Sequence, residues 1–202
     1  MPKDKTASHA RVIAAAREEF MEYGFEKASM RRVGERCGLT AAGLYRHCRD
    51  KADLFDQLAE PALEQMNAWM DEHLAKYLST VREREDLRWQ DSWVDMMREV
   101  VYPHLDDYHL ILSCASGTKY ENFLHDLTQA AQEKTLEYLP VLREKGAVLR
   151  EISPTELHLL YSAYVTALFE PVIHRYPPDE AARCLETVEA FFLPAWKALF
   201  GF

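Results

Sequence analysis

Twelve consecutive residues, Thr40 to Lys51 ("TAAGLYRHCRDK"), gather a phenol, two guanidiniums, an imidazole and an ammonium behind three very small side chains. These groups donate hydrogen bonds and carry positive charge, so their natural partner is an anion: guanidinium forks fit a phosphate or a purine edge, and the ammonium acts as a point charge. Bond-making chemistry has no comparable foothold. No nucleophile stands with a base and an orienting group, and no glycine loop is built to cradle phosphate, so an enzyme is not expected. His104, His109 and His125 lie near Asp106, Asp107 and Cys114, but no pair has the i, i+4 spacing that sets two ligands on one helix face. Neither a metal nor any other cofactor is expected.

Positioning these groups falls to helices. Glycine is scarce among the 202 residues and apolar side chains recur every three or four positions, which makes the fold class all-α. A first helix is predicted over 8–23, with Val12, Ile13, Ala16, Phe20 and Tyr23 on one face and Gly24 as its left-handed end. Ser29 is placed to cap a short second helix that Gly38 ends, and Thr40 to cap a third over 41–48. Asp50, with Asp53 three residues on, opens a long helix to about residue 78 that contains Pro61 and should kink there. Beyond a charged connection over 79–92, helices are predicted from Trp93 towards Pro103, over 104–112, over 119–139 with Pro140 as the stop, from a Thr155 cap to about 176, and over 179–200.

Two short helices joined by "CGLT" form a helix-turn-helix, in which the second helix lies in the major groove of DNA while the first braces it. Gly38 permits the turn, Leu39 and Leu44 pin it to the core, and Ala41, Ala42 and Gly43 let the helix start approach base edges closely. Tyr45, Arg46 and His47 line the exposed side, and Lys51 points at the same backbone. The charge distribution agrees. The chain carries a net charge of -9, yet residues 1–55 hold eleven Lys and Arg against eight Asp and Glu, while the remainder holds thirteen against twenty-five. A basic end on an acidic body orients a molecule towards a polyanion. No run of about 18 apolar residues spans a bilayer, and charge near Met1 occupies the place of a signal peptide's apolar segment. The four scattered cysteines suit a reduced interior. A cytoplasmic protein with no membrane partner is expected.

The segment "SMRRVGERCGLTAAGLYRHCRDKADLF", preceded by "VIAAAREEFMEYGFEKAS", resembles the DNA-binding domain of the TetR family of transcriptional regulators over Arg11 to Phe55. The resemblance implies an all-helical homodimer with a three-helix helix-turn-helix head, residues 1–50, and a larger helical-bundle domain for effector binding and dimerisation, residues 51–202. It implies phosphate contacts from Ser29, Tyr45, His47 and Lys51, and base or groove contacts from Arg31, Thr40, Ala41, Ala42, Gly43 and Arg46. Two residues depart from the family pattern: Cys48 stands where a bulky aromatic is usual, and Gly34 where alanine is usual, the latter at about 0.5–1 kcal/mol of helix propensity.

The expected partners are an operator in duplex DNA, a second copy of the chain, and a small-molecule effector that releases a repressor dimer from a palindromic site. An aromatic and methionine pocket is expected from Met66, Trp69, Met70, Trp93, Met97, Tyr102, Tyr120 and Phe123. A dimer interface is expected from Leu160, Tyr164, Leu168, Val188, Phe192 and Trp196 on the last two helices. The alternative is a DNA-binding protein of the same fold whose body binds a protein partner.

Overall fold

A computed structural model describes residues 5–83, 92–144 and 150–200. Among them every regular element is helical: α1 Lys5–Lys27, α2 Met30–Cys37, α3 Ala41–Leu44, α4 Lys51–Glu83, α5 Ser92–Met96, α6 Leu105–Ser113, α7 Phe123–Glu144, α8 Pro154–Ile173 and α9 Pro178–Phe200. A π-helical turn, Met97–Val101, and a 3-10 turn, Tyr102–His104, follow α5. Residues 84–91, within the expected charged connection, and 145–149, within the expected turn before α8, lie outside the described residues.

The chain packs as two compact units, Met1–Gln65 with His104–Glu121 and Met66–Pro103 with Asn122–Phe202. These units do not coincide with a division after residue 50. The start of α4 and the whole of α6 pack with the first three helices.

In the first unit, Val12, Ala16 and Phe20 of α1 are buried together with Val33 and Leu44. The rings of Phe20 and Phe25 meet Phe55 edge-on at 5.1 and 5.6 Å, and Tyr120 lies 5.9 Å from Phe55. Gly24, at φ +70°, breaks the regular path of α1, and the following N–H, that of Phe25, donates to Cys114 O at 2.8 Å. Only glycine adopts that φ without strain. α6 is tied in by Tyr108, whose buried hydroxyl donates to Ala62 O of α4 at 2.9 Å, and burial pushes its pKa upward. Lys119 reaches Glu60 and Asp56 of α4 at 2.9 and 3.1 Å.

In the second unit, α7 packs on α8 and α8 on α9. Leu157, Tyr161, Tyr164, Val165, Leu168 and Phe169 are buried. Tyr161 and Tyr164 lie 5.1 and 5.8 Å from Trp196, and Phe123 meets Phe169 edge-on.

Several expected boundaries move. α4 continues through Pro61 to Glu83, beyond the predicted end. α7 starts at Phe123 rather than 119, because Lys119 and Tyr120 lie in the turn held by Thr118, and it runs through Pro140 to Glu144. Proline removes one hydrogen bond from the ladder, but Leu139 and Leu142 on either side are buried, and that packing carries the helix across it. α8 is capped by Ser153, not Thr155. The Ser153 hydroxyl accepts the Glu156 N–H while the Glu156 carboxylate accepts the Ser153 N–H, a reciprocal box with Pro154 at the first helical position.

Candidate nucleic-acid interface

The turn between α2 and α3 is built by two glycines used differently. Gly38 sits at φ +67°, ψ 32° and its N–H closes the end of α2 on Glu35 and Gly34 carbonyls, the left-handed cap that glycine adopts without strain. Gly34 lies inside α2 where a Cβ would come 3.1 Å from Leu39 O, and the Leu39 N–H donates to Gly34 O at 2.9 Å. The missing methyl therefore lets the turn fold tightly onto α2. The cost in helix propensity sits where the close approach is made.

Thr40 caps α3, its hydroxyl accepting the Gly43 N–H at 3.2 Å. Leu44 is buried and pins the element, while Ala41, Ala42, Tyr45 and Arg46 face outward, Tyr45 at 52% exposure. α3 is shorter than expected. Regular α-helix ends at Leu44, and Arg46 and His47 bond back three residues to Gly43 and Leu44 as the chain tightens into a turn. Cys48 closes that turn, buried, its thiol directed at Leu44 O 3.8 Å away. A small side chain there lets the backbone come back directly into α4. Burial, and then Asp53 and Asp50, push the Cys48 thiol pKa up, so it is inert rather than reactive.

Asp50 accepts the Asp53 N–H at 2.8 Å and so caps α4. The Asp53 carboxylate accepts the Arg49 N–H at 2.8 Å and its guanidinium at 3.1 Å. The backbone N–H of Arg49 is the main cause that holds the Asp53 carboxyl below its ordinary value. Arg49 is thus exposed but paired.

The expected phosphate and base contacts divide by what they already hold. Arg31 and Arg46 are outward-facing, Arg31 with Glu35 as its partner at 2.8 Å. The hydrogen bond that Arg31 donates to Glu35 raises the Arg31 pKa. Lys51 is half-buried: its Nζ donates to Glu26 O and Ala28 O at 3.1 and 3.3 Å and lies over the Phe25 ring. It fastens the end of α1 to the start of α4, leaving one donor for another partner. His47 Nε2 lies 3.3 Å from the Ser8 hydroxyl and its ring 5.7 Å from that of His9. Ser29 does not cap α2 with its hydroxyl as expected; its N–H donates to Glu19 Oε1 at 2.9 Å instead.

Glu19 is the residue that sequence reasoning missed. It is fully buried, and its carboxylate takes Arg32 at 2.6 Å and Arg36 at 3.3 Å besides the Ser29 N–H. Arg36 also pairs with Glu18 and Glu22, and Arg32 reaches Lys27 O and lies over the Tyr23 ring. α1 and α2 are therefore joined by charge as well as by Val12, Phe20 and Val33. The signal was present: position 19 follows Val12, Ala15 and Ala16 at helical spacing. A groove of about 370 Å³ opens between α2 and α3, with Arg31, Glu35, Ala41 and Tyr45 among the residues lining it.

The residues expected to form a pocket and an interface fall differently. Tyr120 belongs to the first unit, where burial pushes its hydroxyl up to about 12. Met66, Trp69, Met70, Trp93, Met97, Tyr102 and Phe123 belong to the second. There Trp69 stacks on His73 at 3.5 Å and donates to Glu99 at 2.8 Å. Of the interface residues, Tyr164, Leu168 and Trp196 are buried within their own unit, Val188 and Phe192 are half-buried, and Leu160 is exposed. Leu159 and Phe191, which were not expected, are the most exposed large apolar side chains among the described residues, at 68% and 74%. Among the described residues no group of three His, Cys, Asp or Glu could hold a metal ion, and no helix is long and apolar enough to cross a membrane.

An all-α chain whose first three helices carry a glycine-turned helix-turn-helix falls in the class of helical proteins with a DNA-reading head. Residues 12–58 match the profile of the bacterial regulatory proteins of the tetR family. The chain is 39% identical over 72 residues to the HTH-type transcriptional repressor Rv1474c of Mycobacterium tuberculosis, a match that takes in 34% of this chain and 38% of that protein's length. The fold is similar to that of a TetR family transcriptional regulator from Pseudomonas syringae pv. tomato, with TM-score 0.53 and 17% identity over 96% of this chain and 97% of that one. The N-terminal head, residues 12–58, is thus similar to that of the tetR family of bacterial regulatory proteins.

Proposed function

We propose that the protein is a transcriptional repressor that binds a palindromic operator as a homodimer and is released by a small molecule held in the second unit. The observation that carries the reading is the turn at Gly38. It sets Ala41, Ala42, Tyr45 and Arg46 outward from a capped helix start, with Arg31 beside them. Small side chains at the leading end admit the backbone to a groove, and the flanking phenol and guanidiniums supply phosphate and base-edge contacts. Repression is carried over from the relative that shares the head.

The effector half of the reading is supported by the π-helical turn at Met97–Val101, a feature that recurs at functional sites. The Tyr102 hydroxyl that follows it is buried without a partner among the described residues, and burial pushes it up to about 12. α4 is one continuous helix from Lys51 to Glu83, so a ligand that favours one setting of its second half biases the other end.

Selection of bound fragments from genomic DNA should converge on a two-fold symmetric sequence. Replacing Tyr45 and Arg46 together with alanine should abolish that binding without changing the helical circular dichroism signal. Retained, salt-steep binding by the double variant would remove the head from its assigned role.

A further inference from the structure

We propose that Glu35 determines specificity on the DNA-reading face: it holds the Arg31 guanidinium in the groove beside α3 so that its terminal amino groups read a guanine edge instead of gripping phosphate. The proposal rests on the DNA-binding reading above.

α2 carries three arginines, and two of them are already committed. Arg32 is held by Glu19, Lys27 O and the Tyr23 ring, and Arg36 by Glu18, Glu19 and Glu22. Arg31 differs. Its side chain is 87% exposed, and its Nε donates to Glu35 Oε1 at 2.8 Å. A guanidinium has five N–H donors, and spending the one on Nε leaves the terminal pair, the fork that matches guanine O6 and N7.

The pair is poorly arranged for any purpose internal to α2. Arg31 stands in the first turn, at the positive end of the helix dipole, and Glu35 towards the negative end. Both charges oppose the dipole, and a cation four residues before an anion is the weaker order for a helical pair. Charges placed against local preference mark positions that another requirement has fixed.

That requirement is legible in the surroundings. The pair borders a groove that Ala41 and Tyr45 of the α3 side also line. Glu35 is itself 58% exposed. Its negative charge beside Arg31 opposes any approach of phosphate, whereas a guanine edge is neutral and accepts the fork freely. Discrimination then comes from a repulsive element as well as an attractive one.

The test uses the full-length protein and the variants Glu35→Ala, Glu35→Gln and Arg31→Ala. Each is titrated on the duplex selected by the wild type, on copies changed one base pair at a time, and on an unrelated duplex. Wild type is expected to require one guanine per half-site through Arg31. Glu35→Ala should relax that requirement by about fivefold or more while binding the unrelated duplex at least as tightly as wild type, with Glu35→Gln between the two. Alanine favours helix at this exposed site, so thermal stability should hold. The proposal is overturned if Glu35→Ala keeps every base preference within about twofold, or weakens all duplexes in parallel. It is equally overturned if Arg31→Ala weakens all sequences uniformly and lowers the salt slope by about one, the mark of a phosphate contact. A wild type with no sequence preference instead overturns the operator-binding reading itself, and does so before any variant is compared.

Discussion

A carboxylate with no exposed surface is costly unless its partners are in place, and Glu19 has three: the Ser29 N–H, Arg32 and Arg36. It holds the N-cap residue of α2 by its N–H and ties α2 to α1 through the two arginines. Removing it strands one part-buried N–H and leaves two half-exposed guanidiniums, which retain access to water. Glu19→Ala should therefore lower stability by about 2 kcal/mol, below the cost of orphaning a fully buried charge. Urea unfolding followed by circular dichroism measures it, and an unchanged midpoint would show that the network contributes nothing net. DNA affinity should fall in the same variant, because α2 carries Arg31.

At the scale of elements, the start of α4 is the junction where Lys51 fastens the end of α1 and Asp50 and Asp53 organise the first turn. If Lys51 is chiefly a fastener, Lys51→Met should lower the melting temperature and weaken all DNA alike while leaving the salt slope unchanged; loss of a phosphate contact would reduce that slope by about one. Asp53 makes the same junction sensitive to acid. Its carboxyl is held below the ordinary 3.8 in the folded chain, so its contribution is present above the unfolded value and is lost as pH falls through the folded one. Between about pH 5 and pH 3 the wild type should lose more stability than Asp53→Asn, measured as the fall in melting temperature over that range. The elements also explain what could be read in advance. Gly38, Thr40 and Asp50 act within four residues of themselves, so the turn, the start of α3 and the start of α4 were legible. The far end of α3 was not, since Cys48 ends it by packing rather than by propensity. Pro140 failed as a stop for a like reason, with Leu139 and Leu142 buried beside it. The inclusion of α6 in the first unit depends on bonds such as that from Tyr108 to Ala62, 46 positions away, which no local pattern encodes.

The whole molecule pairs a basic end with an acidic remainder, so the proposed dimer would be held on its operator by the two heads while the bodies gain nothing from the polyanion. Pairing must then come from apolar surface. The stripe expected for it is largely used up inside the second unit, as Tyr164, Leu168 and Trp196 show, and among the described residues of that unit Leu159, Leu160 and Phe191 are the exposed large apolar side chains. Phe191→Glu places a charge on the most exposed of these without disturbing the core. It should shift sedimentation from dimer to monomer at low micromolar concentration while the melting of secondary structure persists. The consequence for DNA is separable from simple weakening. Counterion release scales with the number of phosphates neutralised, about 0.9 of a unit of slope for each. A monomer engages half as many per binding event, so the salt slope of the variant on the selected operator should fall to about half the wild-type value. An unchanged slope with an unchanged sedimentation coefficient would mean that the two copies meet through some other face.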